Sequence, residues 1–386
     1  MMELGFYSCY TCYNHFRKRM TILTMENTHT FREISQIQNS ELWSEINTIV
    51  DSKIDEFQHI VDDNTLILFT GAGSSAYLGQ VLASIDFKHA PFECQAVPTT
   101  EIVLYPEKYL VSKKNIILFS FARSGNSPES KAVISLAEQL NPEIKHVYIT
   151  NNKDGFLAGH DTDAIKIVLP DVTNDQSLAM TSSYTSMLVS AARLLGESLS
   201  ESFIEALPKY FNEIYDFAKD ISALEFNKLF FVGSGIHSAT ANETSLKMNE
   251  LTMGEVNVYH ESTLAFRHGP KASLTPGSLF VQLLSNDAYV NKYEEDLGEE
   301  VNVNDHYHKV VLLPENAHVD MSKYEGYTTF ELKGQHSAFE LTLLYLWFGQ
   351  LLACLKSIEL GKDPDNPSAD GFINRVVKGV TIYDYA

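Results

Sequence analysis

Ser120-Phe-Ala-Arg-Ser-Gly-Asn-Ser-Pro-Glu-Ser130 is the stretch from which the fold can be read. It follows Ile116-Ile-Leu-Phe119, a short, β-rich apolar run that reads as a buried strand. It precedes Lys131–Leu140, where apolar residues recur at helical spacing. A strand, a hydroxyl-rich turn centred on Gly125 and a helix start leave first-turn N–H groups free to meet an anion, and the helix dipole favours negative charge there. Ser124, Asn126, Ser127 and Ser130 can add side-chain donors. Taken alone, the loop is better explained by ordinary N-capping through Ser124 or Ser127.

The pattern has counterparts. Thr65-Leu-Ile-Leu-Phe69 reads as a strand and runs into Thr70-Gly-Ala-Gly-Ser-Ser-Ala-Tyr-Leu-Gly79, a second strand, Gly/Ser loop and helix. Gly71 and Gly73 begin a dinucleotide fingerprint, but Ala76 breaks it, and the hydroxyls of Ser74 and Ser75 suit a phosphate equally well. Further strands are expected at 94–97, 146–150 and 164–169, so β and α segments alternate and a parallel sheet flanked by helices follows. Ligands of such sheets gather at the carboxyl ends of the strands, where both loops fall. Residues 228–232 followed by Gly233-Ser-Gly-Ile-His-Ser238, then 279–284, repeat the order and spacing, which reads as a duplicated α/β unit. The second copy lacks the Ser-Gly-x-Ser turn, so one copy is expected to hold a phosphate and the other to supply something else. Helices are expected at 31–38 and 42–60, over 177–195 as a bridge between the copies, and over 200–225 with Pro208 inside.

Composition narrows the function. The 386 residues, 44% of them hydrophobic, can bury a large core. A formal net charge of −21 argues against a nucleic-acid surface, and an anion here must be held locally. By inspection no apolar run approaches the ~20 residues that span a membrane. Cysteines at 9, 12, 94 and 354 make no disulfide framework, which points to a reducing, cytoplasmic setting. Cys9-Tyr-Thr-Cys12 has metal or redox spacing without a supporting second pair, and residues 1–24 read as a poorly ordered extension. Residues 25–60 then form an N-terminal helical segment, 61–200 the first unit, and 201–386 the second unit with a C-terminal tail.

The chemistry is expected later in the chain. On a helix over Thr240–Met253, Glu243, Lys247 and Glu250 fall at i, i+4 and i+7, on one face. A solvated Glu–Lys–Glu stripe would be unremarkable, but Leu246, Met248 and Leu251 leave no single apolar stripe. The helix is therefore expected to be buried around much of its girth, its charges desolvated and paired as a general base requires. His268 lies in Phe266-Arg-His-Gly-Pro-Lys271, where Gly269 and Pro270 would fix an imidazole on a rigid turn. Asp305, His306 and His308 occupy a polar stretch and read as solvated, so neither metal nor cofactor is expected.

Together with Asn174-Asp-Gln-Ser-Leu-Ala-Met-Thr-Ser-Ser183, Asp365-Asn-Pro367 and Asn374–Tyr383, these motifs resemble the double SIS (sugar isomerase) family, most closely its AgaS type, tagatose-6-phosphate ketose/aldose isomerase or galactosamine-6-phosphate deaminase. The resemblance runs from about Thr30 to the C-terminus and implies two tandem SIS domains, each a flavodoxin-like three-layer α/β sandwich. The same core resembles the isomerase half of glucosamine-6-phosphate synthase. That likeness implies Glu250 as the base moving a proton between C2 and C1, and His268 as the ring-opening acid/base. It further implies Glu243 and Lys247 lining the site and Lys378 near the substrate from the tail. Ser75, Ser124 and Ser127 would take the phosphate, with Ser74, Asn126 and Thr181 beside them. The family's Ser-x-Ser-Gly becomes Ala122-Arg-Ser-Gly125 here, so Arg123 is expected to replace a lost hydroxyl with a charge-assisted contact. The histidine comes from a neighbouring subunit in that family, implying a homodimer or higher homo-oligomer with shared sites. The amidotransferase half of the synthase is missing, so glutamine-dependent synthesis is not expected. The implied reaction converts galactosamine 6-phosphate to tagatose 6-phosphate and ammonia; the alternatives are aldose–ketose isomerisation without loss of nitrogen and a non-catalytic sugar-phosphate sensor.

Overall fold

The computed structural model describes residues 25–87, 90–377 and 379–385. The 1–24 segment with its Cys9/Cys12 pair, and Lys378, lie outside the described residues. The chain opens with helices α1 (His29–Ser35) and α2 (Ser40–Gln58). The first sheet follows: β1 (Thr65–Thr70), helix α3 (Ser74–Ala83), β2 (Phe92–Ala96), β3 (Asn115–Ala122), α4 (Pro128–Leu140), β4 (Lys145–Thr150) and β5 (Ile165–Val168). Helices α5 (Ser182–Leu194) and α6 (Glu201–Ser222) lead to the second sheet. There β6 (Lys228–Gly233), α7 (Ile236–Thr252), β7 (Asn257–Ser262), β8 (Ser278–Leu283), α8 (Ala288–Asn302), β9 (His308–Pro314) and β10 (Thr328–Leu332) precede α9 (Ala338–Glu359) and the tail.

Each sheet has five parallel strands, and the two share one topology. The first runs β2-β1-β3-β4-β5 and the second β7-β6-β8-β9-β10, each the 2-1-3-4-5 order of a doubly wound sheet. In this order the crossovers part between the first and third strands, which opens a crevice at their carboxyl ends. The apolar runs at 65–69, 116–119 and 228–232 become central strands because both their faces are covered by helices. The sequence reading missed β7, β9 and β10. Polar side chains face solvent along β7 (Asn257, Tyr259 and His260 are exposed) and β10 lies at the sheet edge, so neither carries a continuous apolar signal. The expected 177–195 helix starts five residues later, at Ser182, because Asp175 gathers the turn before it.

Helix α9 departs from the expectation about apolar runs. Its 22 residues are long and apolar enough to cross a membrane, yet 89% of its most hydrophobic 18-residue window is buried within the protein. It is the core helix on which α6 and α7 pack, with Leu344, Trp347, Phe348 and Leu351 excluded from water. Each such side chain contributes about 1.5–3 kcal/mol. Ser337 caps α9 and Glu340 reaches back to complete a capping box. Gly349 lets α7 approach, since a Cβ there would collide with Thr244. The sequence of α7 has no single apolar stripe because neighbours surround it: α9 packs along it, α3 crosses from the first unit, and β6 and β7 lie beneath.

Candidate active site

The first crevice opens between β1 and β3. At the end of β1, a Cβ on Gly71 would stand 2.5 Å from the Ser75 Cβ, so glycine alone allows α3 to start this close to its strand. Gly73 has φ +56°, a conformation side chains avoid, and it opens α3 without a side-chain cap. Ser74 and Ser75 are buried in the first turn, with the Ser75 hydroxyl 3.9 Å from the Met180 sulfur.

Across from this turn, α7 presents the three predicted charges. Lys247 is completely buried and donates to Glu250 Oε2 at 2.6 Å and to Ser74 Oγ at 2.8 Å, and its Nζ lies 3.3 Å from Glu243 Oε1. One ammonium thus ties the first unit's phosphate-type turn to both carboxylates of the second. Glu243 is also fully buried; it lies within ion-pair range of Lys247 but neither of its oxygens has a well-directed hydrogen bond. Burial pushes its carboxyl up to about 7, Lys247 pulls it back, and the Glu250 carboxylate adds to the rise. For Lys247 burial opposes the charge, but the two carboxylates outweigh it and raise the ammonium above its ordinary value. Glu250 keeps 24% of its side chain accessible, so of the two glutamates it is the one that can meet a ligand. Tyr77 and the buried Tyr184 face the same charges, each phenol raised first by burial and then by Glu243; sequence reasoning did not single them out.

The 123–127 turn lies on the other side of the crevice. Gly125 has φ +67°, and Ser124 and Ser127 are partly accessible while Asn126 is exposed. Ser127 caps α4, accepting from Ser130 N, so the capping reading of this residue holds. Ser124 Oγ accepts from Asn126 N, its carbonyl accepts from Asn152 Nδ2 at 2.8 Å, and Asn126 Oδ1 accepts from Phe156 N. These bonds fix the turn.

Two predicted anion ligands have other work. Arg123 is buried, and its guanidinium donates to the carbonyls of Ser177, Leu178, Ala179 and Arg375. Instead of replacing a lost hydroxyl at a phosphate, it clamps the 177–179 loop to the tail. Thr181 gives both its N–H and its hydroxyl to Asp175, at 3.0 Å each. Asp175 also accepts from Ser182 N, Ser183 N and Ser183 Oγ, so an internal carboxylate occupies the N-terminus of α5 where a bound anion would sit. Glu33 on α1 accepts from Gln176 N, Ser177 N and Ser177 Oγ; burial and the neighbouring Asp175 raise its carboxyl while these hydrogen bonds lower it, the net direction being upward. Arg375 reaches Asn174 Oδ1 and the Asp175 carbonyl, and Asp365 takes His29 N, Thr30 N and the Thr30 hydroxyl. Glu33 and Arg375 went unassigned in the sequence because their partners are distant in the chain, and spacing cannot announce such pairings.

His268 is exposed in the turn after the short helix Thr263–Phe266, outside every hydrogen bond and ion pair described above. Its neighbours Arg267 and Lys271 both pair with Glu300 on α8, which holds the turn. Lys378 is not among the described residues. Among the described residues, no group of three or more His, Cys, Asp or Glu side chains is arranged to hold a metal ion.

Known proteins resemble this chain in sequence and in fold. The SIS domain model matches residues 60–195. The chain is 37% identical over 330 residues to D-galactosamine-6-phosphate deaminase AgaS of Shewanella sp. (strain ANA-3), covering 83% of this chain and 82% of that one. A relative from Streptomyces coelicolor is 36% identical over 92% of this chain and 95% of its own length. The solved tagatose-6-phosphate ketose/aldose isomerase of Escherichia coli superposes with a TM-score of 0.82 at 28% identity, covering 93% of this chain and 97% of that chain.

Proposed function

The chain belongs to the AgaS family of SIS-domain proteins, and from that premise we infer that it is an amino-sugar phosphate deaminase/isomerase converting galactosamine 6-phosphate and water to tagatose 6-phosphate and ammonia. The observation that carries this reading is the Lys247 bridge, which sets the open carboxylate of Glu250 against the Ser74 turn. A sugar held by its phosphate on the 74–75 and 124–127 turns would extend its C1–C2 end toward Glu250. In the open-chain form Glu250 takes the proton from C2 and returns it to C1, so the aldehyde becomes a CH2OH and the C2 amine becomes an imine. Water adds to the imine carbon and ammonia leaves, giving the C2 ketone. Lys247 orients Glu250. Glu243 is sealed from solvent and serves as the counter-charge that keeps Lys247 in place.

Ring opening falls to His268. Because this residue is exposed and makes no contact with Glu250 within one chain, the reading includes a homo-oligomer in which a second subunit brings His268 to the site. Lys378 is assigned to the substrate from the tail by family pattern. The reaction belongs in the cytoplasm, where phosphorylated sugars are retained.

The test is ammonia release from galactosamine 6-phosphate and glucosamine 6-phosphate, run side by side on the purified protein. Release from the galacto sugar is expected. Release from the gluco sugar alone would keep the mechanism and overturn the substrate. A second reading, aldose–ketose interconversion without loss of nitrogen, is favoured by the name of the Escherichia coli neighbour; ketose formation from an aldohexose 6-phosphate, with no ammonia released from either amino sugar, would select it.

A further inference from the structure

Two hydrogen bonds tie α3 across α7. Ser74 Oγ accepts from Lys247 at 2.8 Å, and nearly two turns further along α3, Gln80 Oε1 accepts from Asn242 Nδ2 at 2.8 Å. Numbers rise along α3 as they fall along α7, so the two helices run antiparallel where they touch. Tyr77 lies midway between these bonds, three residues from each, on the face of α3 that they define. A helical side chain leans toward the N-terminus of its own helix. For Tyr77 that direction leads to the Ser74 turn and, on α7, from Asn242 toward Lys247 and Glu250.

The Tyr77 side chain is partly accessible, and its hydroxyl has no hydrogen-bond partner among the described residues. Its electrostatics report the same neighbours. Burial raises the phenol, the Glu243 and Glu250 carboxylates raise it further, and Lys247 lowers it. The net direction is upward, so at neutral pH the phenol keeps its proton and can donate it in a hydrogen bond.

Proton abstraction from C2 needs such a donor. When the open-chain aldehyde gives its C2 proton to Glu250, the C2–H electron pair becomes the C1=C2 bond. The carbonyl π pair then moves to O1, and negative charge develops there. Lys247 is committed to Ser74 and Glu250, with Glu243 at 3.3 Å, and the Tyr184 phenol is sealed from the crevice by burial. Tyr77 is free.

We propose that Tyr77 is a further catalytic residue, the donor that holds O1 of the open-chain sugar while Glu250 deprotonates C2. The phenol retains its own proton in this step, and the proposal rests on the reading of Glu250 as the base. The test compares the full-length wild type with Tyr77→Phe, which keeps the ring and removes only the hydroxyl. The substrate is galactosamine 6-phosphate with hydrogen or deuterium at C2. Tyr77→Phe is expected to lower kcat about 10²-fold with little change in KM, and its isotope effect on kcat should be at least as large as that of the wild type. An unchanged kcat, a rise in KM alone, or a diminished isotope effect would each overturn the role. A wild type that releases no ammonia but interconverts aldose and ketose 6-phosphates would overturn the deaminase reading instead. The same comparison on the C2-deuterated aldose 6-phosphate then decides Tyr77, because the proton abstraction is common to both reactions. A wild type inert on both substrates would remove the two readings together.

Discussion

Gly73 and Gly235 open corresponding helices with nearly the same backbone, φ +56° for both and ψ −129° and −123°. Two residues later the units part: the first carries Ser75, the second His237. The glycine before each turn meets that residue, since a Cβ on Gly71 would crowd Ser75 and one on Gly233 would crowd His237. The shared topology therefore keeps a crevice in both sheets, and a single side chain at a fixed point decides what each can hold. The first unit has a small hydroxyl at this point; the second has a buried imidazole, larger and without charge. The second unit contributes instead through the far end of α7, where Lys247 and Glu250 reach across to the first crevice.

The comparison breaks first at Glu250. Glu250→Gln is expected to lower kcat by about 10³-fold with little change in KM; an unchanged kcat in single-turnover assays would remove the base from α7 and with it the division of labour between units. Next is Ser75→His, which gives the first crevice the second unit's side chain. KM for the phosphorylated substrate should rise about 10–100-fold, whereas His237→Phe should leave it alone. Steady-state kinetics on the pair would show whether the two positions are as unequal as the structure makes them.

Opposite pH slopes offer a finer test. Glu243 sits at about 7 against an ordinary 4.5, so its proton is held more tightly in the folded state, and this group costs stability as pH rises from about 4.5 through 7. His237 sits at about 3 against 6.5, so its contribution runs the other way, and stability is lost as pH falls below 6.5. Glu243→Gln should flatten the first slope and His237→Phe the second, each by roughly 1–3 kcal/mol. Denaturant midpoints measured from pH 4.5 to 8 check both signs. The smallest effect is expected from Arg375→Ala, which unhooks the tail from Asn174 and Asp175 at a cost of about 1 kcal/mol. Faster amide exchange over 174–181, with exchange in the second sheet unchanged, would show that the clamp belongs to the first unit.

Much of this was legible in the chain. The central strands announced themselves because parallel strands covered on both faces must be continuously apolar, as at 116–119 and 228–232. The spacing of Glu243, Lys247 and Glu250 put them on one face, and the absence of an apolar stripe foretold burial. Arg123 and Thr181 were misread for a common reason. Each is a good anion ligand by type, but in the fold carbonyls take the guanidinium and Asp175 takes the threonine. Helix α9 was overlooked: its run is long and apolar enough to cross a membrane, and only its burial in the fold marks it as a core helix.

Sequence by itself determined the alternation of strand and helix, the duplicated Gly-x-Gly turn and the charged face of α7, because each depends on residues within a few positions of one another. Tertiary structure alone decided that Lys247 meets Ser74, 173 residues away, and that Arg123 faces carbonyls. It also decided that His237 is buried and neutral at the start of α7. Those outcomes depend on which elements pack together and how completely they exclude water, and burial, unlike spacing, is a property of the folded whole.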